Sequence, residues 1–430
     1  MTEFETRYDP LLDETCVSFT HKSGLKVLVM PKKHTSLCAM IGTRYGSLDR
    51  VFRIEGEKEF TAVPDGVAHF LEHKLFEDEN GQDALNLFAD LGGDANAGTD
   101  FDYTCYYFTA SENYEKNLAV LLDFVTHPCF KAQSVERERG IIGQEIKMYQ
   151  DLPEWRLFSG VLNSLYSVSP VKVDIVGTTE SIAAITPQVL YRCYDTFYSL
   201  SNMILAVCGD ITTESVERLC DACLPVKRTV KYELGDPQEP RGICQKHVTC
   251  MMDVAQPLYA IGFKDVPITD GKESLQREFA HSMILRAVFG TSGGFYEKNY
   301  RSGLINKHFG AYYNDVRGAA FTVIEGAGDR YEESVDAVLR QLREVRNEFI
   351  PHDDFERAKK AFYASFLQSF DSTSGISDAM LQYALQGVHI FDVPELITSV
   401  TYEQAREYFM SLYSEANCGY SLVLPTKNNN

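Results

Sequence analysis

No run of 18 apolar residues occurs in this chain, so no transmembrane helix and no membrane insertion are expected. The N-terminus, Met1-Thr2-Glu3-Phe4-Glu5-Thr6, is acidic and lacks the basic stretch and apolar core of a secretory signal. Positive charge is scarce: 41 Lys and Arg against 61 Asp and Glu leave a formal net charge of −20. That balance argues against nucleic acid or an anionic membrane as partner, since both need a basic face. It is compatible with cationic peptide substrates, and solubility explains it equally well. The 11 cysteines lack framework spacing and are odd in number, as expected for reduced thiols in the cytoplasm. The single C-x-x-C, Cys220 to Cys223, closes a helical segment with no redox strand before it. Cys244 and Cys250 stand at a poor spacing for completing a zinc site with it. Disorder is expected only from Lys427 to Asn430.

What the chain does have begins with its length. At 430 residues it is too long for one core and predicts two domains of about 200 residues each. A hydrophobic content of 44% with 24% charged residues is that of a folded chain. Residues 64–76 read Pro-Asp-Gly-Val-Ala-His-Phe-Leu-Glu-His-Lys-Leu-Phe. On a helix advancing about 100° per residue, Glu72 and His73 fall roughly 60° behind and 40° ahead of His69, so the three share one face. Two imidazoles one turn apart offer zinc half of a tetrahedral shell, and the carboxylate between them can reach water on that metal. A satisfied polar helix is the plainer alternative, and a third ligand must come from elsewhere in the chain.

Alternation around Lys22-Ser23-Gly24 predicts a hairpin over 16–31, and a further strand follows at Leu37 to Tyr45. Asp65 is placed to cap the His-bearing helix. A short helix is expected at 84–91, a strand over 94–110, and a long charged helix opening at Ser134. On that long helix Glu138 and Glu145 stand seven residues apart, so both carboxylates point the same way. Read alone, such a pair is a solvated acidic stripe. Residues 225–245, with Pro237, Pro240 and many charges, read as an inter-domain linker.

The second half repeats the first in class. Ile185 through Asn202 superposes without gaps on Val400 through Asn417, an offset of 215, which is half the chain and implies a tandem duplication. Adding 215 to the His motif lands on Ile284-Leu285-Arg286-Ala287-Val288, and adding it to Glu145 lands on Lys360, so only the first half is expected to carry chemistry. The expected domains are 1–225 with the metal motif, a linker at 226–245, and 246–430 as the homologous domain without it.

At this point the residues resemble the pitrilysin or insulysin (insulinase) family of zinc metallopeptidases, whose H-x-x-E-H inverts the usual order. In that family a helix bearing two Glu seven apart follows about 70 to 80 residues later, the second Glu ligating zinc. Here Glu145 lies 72 residues beyond His73. Further likeness lies in Gly92 to Thr99, similar to the family's Asn-Ala-x-Thr segment, and in Gly177 to Ile182. The resemblance spans essentially the whole chain and is greatest to small two-domain members similar to mitochondrial processing peptidase subunits. It implies an α+β fold of two homologous domains, each a mixed, mostly antiparallel sheet with helices packed on one face. It also implies His69, His73 and Glu145 as ligands of Zn2+, Glu72 as general base, and Glu138 as the carboxylate orienting a ligand imidazole. Asn96 and Ala97 resemble residues that hold the substrate main chain.

The family usually supplies an Arg and a Tyr, about seven residues apart after a Gly-rich loop, to help bind substrate and stabilise an oxyanion. The corresponding stretch, 290–306, places Tyr300 and Asn306 there, with Arg301 displaced by one. The expectation is a zinc endopeptidase or peptide-processing subunit acting on small or unstructured peptides in an enclosed chamber. It would work as a homodimer, or as a heterodimer with a paralogous subunit that lacks zinc ligands and supplies the Arg/Tyr pair. A non-catalytic scaffold or peptide-binding subunit of the same fold is the alternative.

Overall fold

The computed structural model describes residues 3–225 and 229–426. Lys427 to Asn430 and residues 226–228 of the expected linker lie outside the described residues. The chain forms two compact units, each an α+β assembly around one mixed sheet. In the first unit the strand order is Glu5–Asp9, Glu14–Thr20, Lys26–Pro31, Met203–Gly209, Leu37–Thr43, Thr104–Ala110 and Gly93–Thr99. Only Lys26–Pro31 and Met203–Gly209 run parallel. Every residue of Leu37–Thr43 and Met203–Gly209 is buried, which is why both read as apolar runs without alternation. The expected single strand over 94–110 is a hairpin, because Asp100 to Tyr103 turns the chain back on itself. No helix among the described residues is long and apolar enough to cross a membrane.

The second unit repeats this order. Parallel His247–Met252 and Cys418–Pro425 are followed by Leu258–Asp265, Ala319–Ala327 and the edge strand Gly310–Val316. The superposable segments adopt the same structure. Thr186 caps Pro187–Phe197 as Thr401 caps Tyr402–Leu412, and each helix passes through a 3-10 turn, at Leu200–Asn202 and Glu415–Asn417, into its strand. The amide of Asn202 donates to Phe197 O at 2.8 Å, and that of Asn417 donates to Leu412 O at 2.9 Å. Each thus satisfies an orphan carbonyl at a helix C-terminus.

The units are not the contiguous blocks 1–225 and 246–430. The first comprises Met1–Ile146, Asp174–Asp236 and Leu367–Phe391, and the second comprises Lys147–Val173, Pro237–Phe366 and Asp392–Asn430. The halves exchange a helix. Thr373–Leu385, late in the chain, covers the first sheet, where a Cβ on Gly42 would lie 3.0 Å from Leu381 Cδ1 and Ser377 Oγ donates to Cys38 O. Pro153–Leu165 covers the second sheet, where a Cβ on Gly262 would lie 2.5 Å from Val161 Cγ1. Glycine at each site lets the helix sit close to the strand. The described part of the expected linker is also built in. Tyr232–Leu234 pairs with Val51–Ile54, while Glu239 accepts from the backbone N–H groups of Ser167, Val168 and Ser169 and meets the buried Lys264 ammonium at 2.6 Å.

Candidate metal centre

The His-bearing helix runs from Val67 to Leu75 and buries Val67, Phe70, Leu71 and Leu75. Asp65 does not cap it. Its carboxylate lies 2.5 Å from Nε of Arg50, and Gly66 takes the N-cap position at φ 84°, where a Cβ would meet Val176 O at 2.5 Å. The Gly177 to Ile182 segment anchors this helix start. Thr178 and Ser181 form a capping box, and Ser181 Oγ also donates to Asp65 O at 2.9 Å. The motif's small and hydroxylated residues are thus explained by close backbone approach.

The helix brings His69 and His73 opposite Glu145 on the Ala132–Gln150 helix, which buries Val135, Ile142 and Ile146. Nε2 of His69 lies 3.6 Å from Oε1 of Glu145, and Nε2 of His73 lies 3.6 Å from Oε2. One ligand atom from each of the three residues falls within 4.8 Å of the others, and no comparable group occurs elsewhere among the described residues. Metal–donor bonds of about 2.0 to 2.1 Å in a tetrahedron separate the donors by about 3.4 Å. Each imidazole nitrogen stands within a few tenths of an ångström of that value from Glu145, though from a different oxygen of it. With one donor atom per residue the set lies within 4.8 Å, and two imidazoles and a carboxylate are the donor types that zinc takes.

Glu138 turns one carboxylate oxygen to the back of His73, with Oε1 at 3.1 Å from Nδ1. At 12% and 21% side-chain exposure, Glu138 and Glu145 are not the solvated stripe that their helix alone suggests. Burial opposes charge on His73, but the Glu138 hydrogen bond and the carboxylates of Glu72, Glu138 and Glu145 outweigh it and hold its pKa above the ordinary value. The buried Nδ1 of His69 has no hydrogen-bond partner among the described residues. Lys74, the next residue, is wholly buried, and its ammonium lies 2.6 Å from Glu77 and 3.9 Å from Glu138. Burial raises the pKa of Glu77, but Lys74 and Arg137 bind its carboxylate and bring it below the ordinary range.

Glu72 is buried with one oxygen held by Thr99, whose Oγ1 donates to Oε2 at 2.7 Å. Thr99 ends the edge strand Gly93–Thr99, which carries exposed Asn96 and half-buried Ala97. A cavity of about 450 Å³ opens beside Glu72, His73 and Asn96, with Leu85 and Ile141 on its walls. Sequence reasoning assigned no role to Thr99, Lys74 or Ile141. Thr99 stood in the quoted segment, but only the fold places its hydroxyl on Glu72. The positions offset by 215 lie on helices Gly271–Phe289 and His352–Gln368 of the second unit, which hold no metal group among the described residues. A core network of Arg277, Asp315, Asp265, His281 and Tyr313 occupies that helix and its neighbouring strands instead.

The family model described as insulinase (peptidase family M16) matches residues 61–179, and that of the M16 inactive domain matches residues 184–362. The chain belongs to the insulinase family. Among members of this family, it is 37% identical over 403 residues to a Bacillus subtilis protein named uncharacterized zinc protease YmfH, covering 92% of this chain and 93% of that one. It is 26% identical over 344 residues to a probable mitochondrial-processing peptidase subunit beta of Schizosaccharomyces pombe, covering 75% and 74% of the two chains. A crystal structure of a putative M16-like peptidase from Alicyclobacillus acidocaldarius matches with a TM-score of 0.91 at 33% identity, over 98% of this chain and 99% of that one. A protease from Helicobacter pylori shares the fold with a TM-score of 0.80 at 18% identity, over 99% of this chain and 100% of that one. In the second unit, Asn306 donates its amide to Ala327 O, exposed Tyr300 stacks on Tyr296, and Arg301 pairs with Glu297.

Proposed function

We propose that this insulinase-family chain is a zinc metalloendopeptidase in which His69, His73 and Glu145 hold Zn2+ and Glu72 is the general base. The carrying observation is the convergence of three donor atoms within 4.8 Å, next to a buried carboxylate that is not one of them. Zinc supplies Lewis acidity, acidifying water and polarising a peptide carbonyl. Thr99 holds Oε2 of Glu72, leaving Oε1 to take a proton from the attacking water and pass it to the leaving nitrogen. Glu138 keeps the Nδ1 proton of His73 so that Nε2 presents its lone pair. Asn96 and Ala97 lie on an edge strand where an extended peptide adds its own hydrogen bonds, so unstructured peptides are the substrate class. The test is a pair of substitutions. Glu145→Gln should abolish stoichiometric zinc, whereas Glu72→Gln should keep zinc and lose peptide hydrolysis. Unchanged function in Glu72→Gln would favour a peptide-binding scaffold.

Activity in this reading calls on a second subunit, either a copy of this chain or a paralogue bearing the Arg/Tyr pair. What supports it is the use of Asn306 and Arg301 within their own unit, on Ala327 and Glu297. Full turnover of peptides by the isolated monomer would refute the requirement. The cytoplasm is the proposed location, consistent with 11 free thiols.

A further inference from the structure

Lys74 is an unusual neighbour for a metal centre. It directly follows a proposed ligand, its side chain is 0% exposed, and the peptidase mechanism assigns it no step. A buried ammonium is tolerated only when carboxylates surround it. Two do. Glu77 comes from just past the end of the same helix and Glu138 from the Ala132–Gln150 helix, while Arg137 also reaches Oε2 of Glu77, the oxygen that Lys74 meets, at 2.7 Å. The two oxygens of Glu138 are divided: Oε1 faces Nδ1 of His73, and Oε2 faces the Lys74 ammonium. Arg137, Glu77, Lys74, Glu138 and His73 thus form one line of alternating charge ending on an imidazole.

We propose that Lys74 is a positioning residue for the metal centre, its buried ammonium attracting Oε2 of Glu138 across 3.9 Å so that Oε1 stays on Nδ1 of His73. The inference rests on the zinc reading above and concerns how tightly the ion is held. Without Lys74, the Glu138 carboxylate is free to turn, and the half-buried carboxylates of Glu138 and Glu77 no longer share an ammonium, Arg137 remaining on Glu77 alone. His73 then loses the contact that fixes its ring plane and tautomer. Among the described residues His69 has no such partner at Nδ1, so an outer carboxylate meets the imidazole pair on the His73 side.

The test is zinc affinity by chelator competition on the full chain, for wild type, Lys74→Met, Glu138→Gln, the double variant and Lys74→Arg. Losing an outer partner of a ligand histidine costs about 10-fold to 100-fold in affinity. Lys74→Met should lose at least about tenfold, the double variant should bind no more weakly than Glu138→Gln alone, and Lys74→Arg should recover most of the loss. Should Lys74→Met fail to fold, Lys74→Gln keeps a hydrogen-bond donor and should show the same lack of additivity with Glu138→Gln. Wild-type affinity in Lys74→Met or Lys74→Gln, or losses that multiply with that of Glu138→Gln, would overturn the proposal while leaving the zinc site standing. No zinc binding by wild type, or undiminished binding by Glu145→Gln, would instead remove the metal reading and this inference with it.

Discussion

His281 lies at the centre of the network that occupies the second unit in place of a metal motif. It is fully buried, stacks on Tyr313 with ring centroids 4.2 Å apart, and burial, with the Arg277 charge adding to it, lowers its pKa from 6.5 to about 3. A folded-state pKa below the unfolded value means that the unfolded chain takes up the proton first. Stability is therefore intact above pH 6.5 and drains away as pH falls toward 3. At about 1.4 kcal/mol per pH unit, the loss reaches about 3 kcal/mol by pH 4.5. Glu278 works in the opposite direction, its pKa raised to about 7 by burial with the Asp315 charge adding, but its contribution is common to wild type and a His281 variant and cancels in their difference. Trp155, the single tryptophan, lies in the second unit against Tyr149, so its fluorescence reports that unit's unfolding. Urea titrations of zinc-free wild type and His281→Gln at pH 8, 6 and 4.5 should show the variant's stability deficit at pH 8 shrinking by about 3 kcal/mol at pH 4.5. Parallel stability curves would mean that His281 is already protonated, or solvated, in the folded chain.

Other consequences concern the first unit. Gly66→Ala forces a Cβ into a left-handed residue 2.5 Å from Val176 O, so it should cost about 2 kcal/mol or more and loosen the start of the His-bearing helix; a melting temperature equal to wild type would contradict this. Thr99→Val removes the hydroxyl that holds Glu72 and should lower turnover about tenfold at unchanged zinc stoichiometry, checked by metal analysis beside a peptide assay. Leu381→Ala empties a fully buried site under the exchanged helix and should cost about 2 to 5 kcal/mol. Its effect on hydrogen exchange should appear in Leu37–Thr43 and Met203–Gly209 of the first sheet, and faster exchange in Leu258–Asp265 instead would assign the helix to the other unit.

Much of this was legible locally. Helix periodicity alone puts His69, Glu72 and His73 on one face, because about 3.6 residues per turn fixes their angular relation whatever surrounds them. The duplication was equally readable, since Thr caps and Asn side chains that close a helix end leave the same letters at the same spacing. Asp65 was misread because capping competes with tertiary ion pairing, and Arg50 claimed its carboxylate. The strand over 94–110 was misread because an apolar alternation continues through the turn at Asp100 to Tyr103 and hides it.

The sequence by itself determined which residues can offer a metal its donors and which half lacks them, since residue type and helical spacing are local properties. Tertiary structure alone decided that Glu138 and Glu145 are half-buried against the imidazoles rather than fully solvated. It also put the Thr99 hydroxyl on Glu72, placed Lys74 behind Glu138, and sent Pro153–Leu165 and Thr373–Leu385 each to the sheet of the other half. An apolar helix face states that something must cover it, and only packing of the whole chain selects what does.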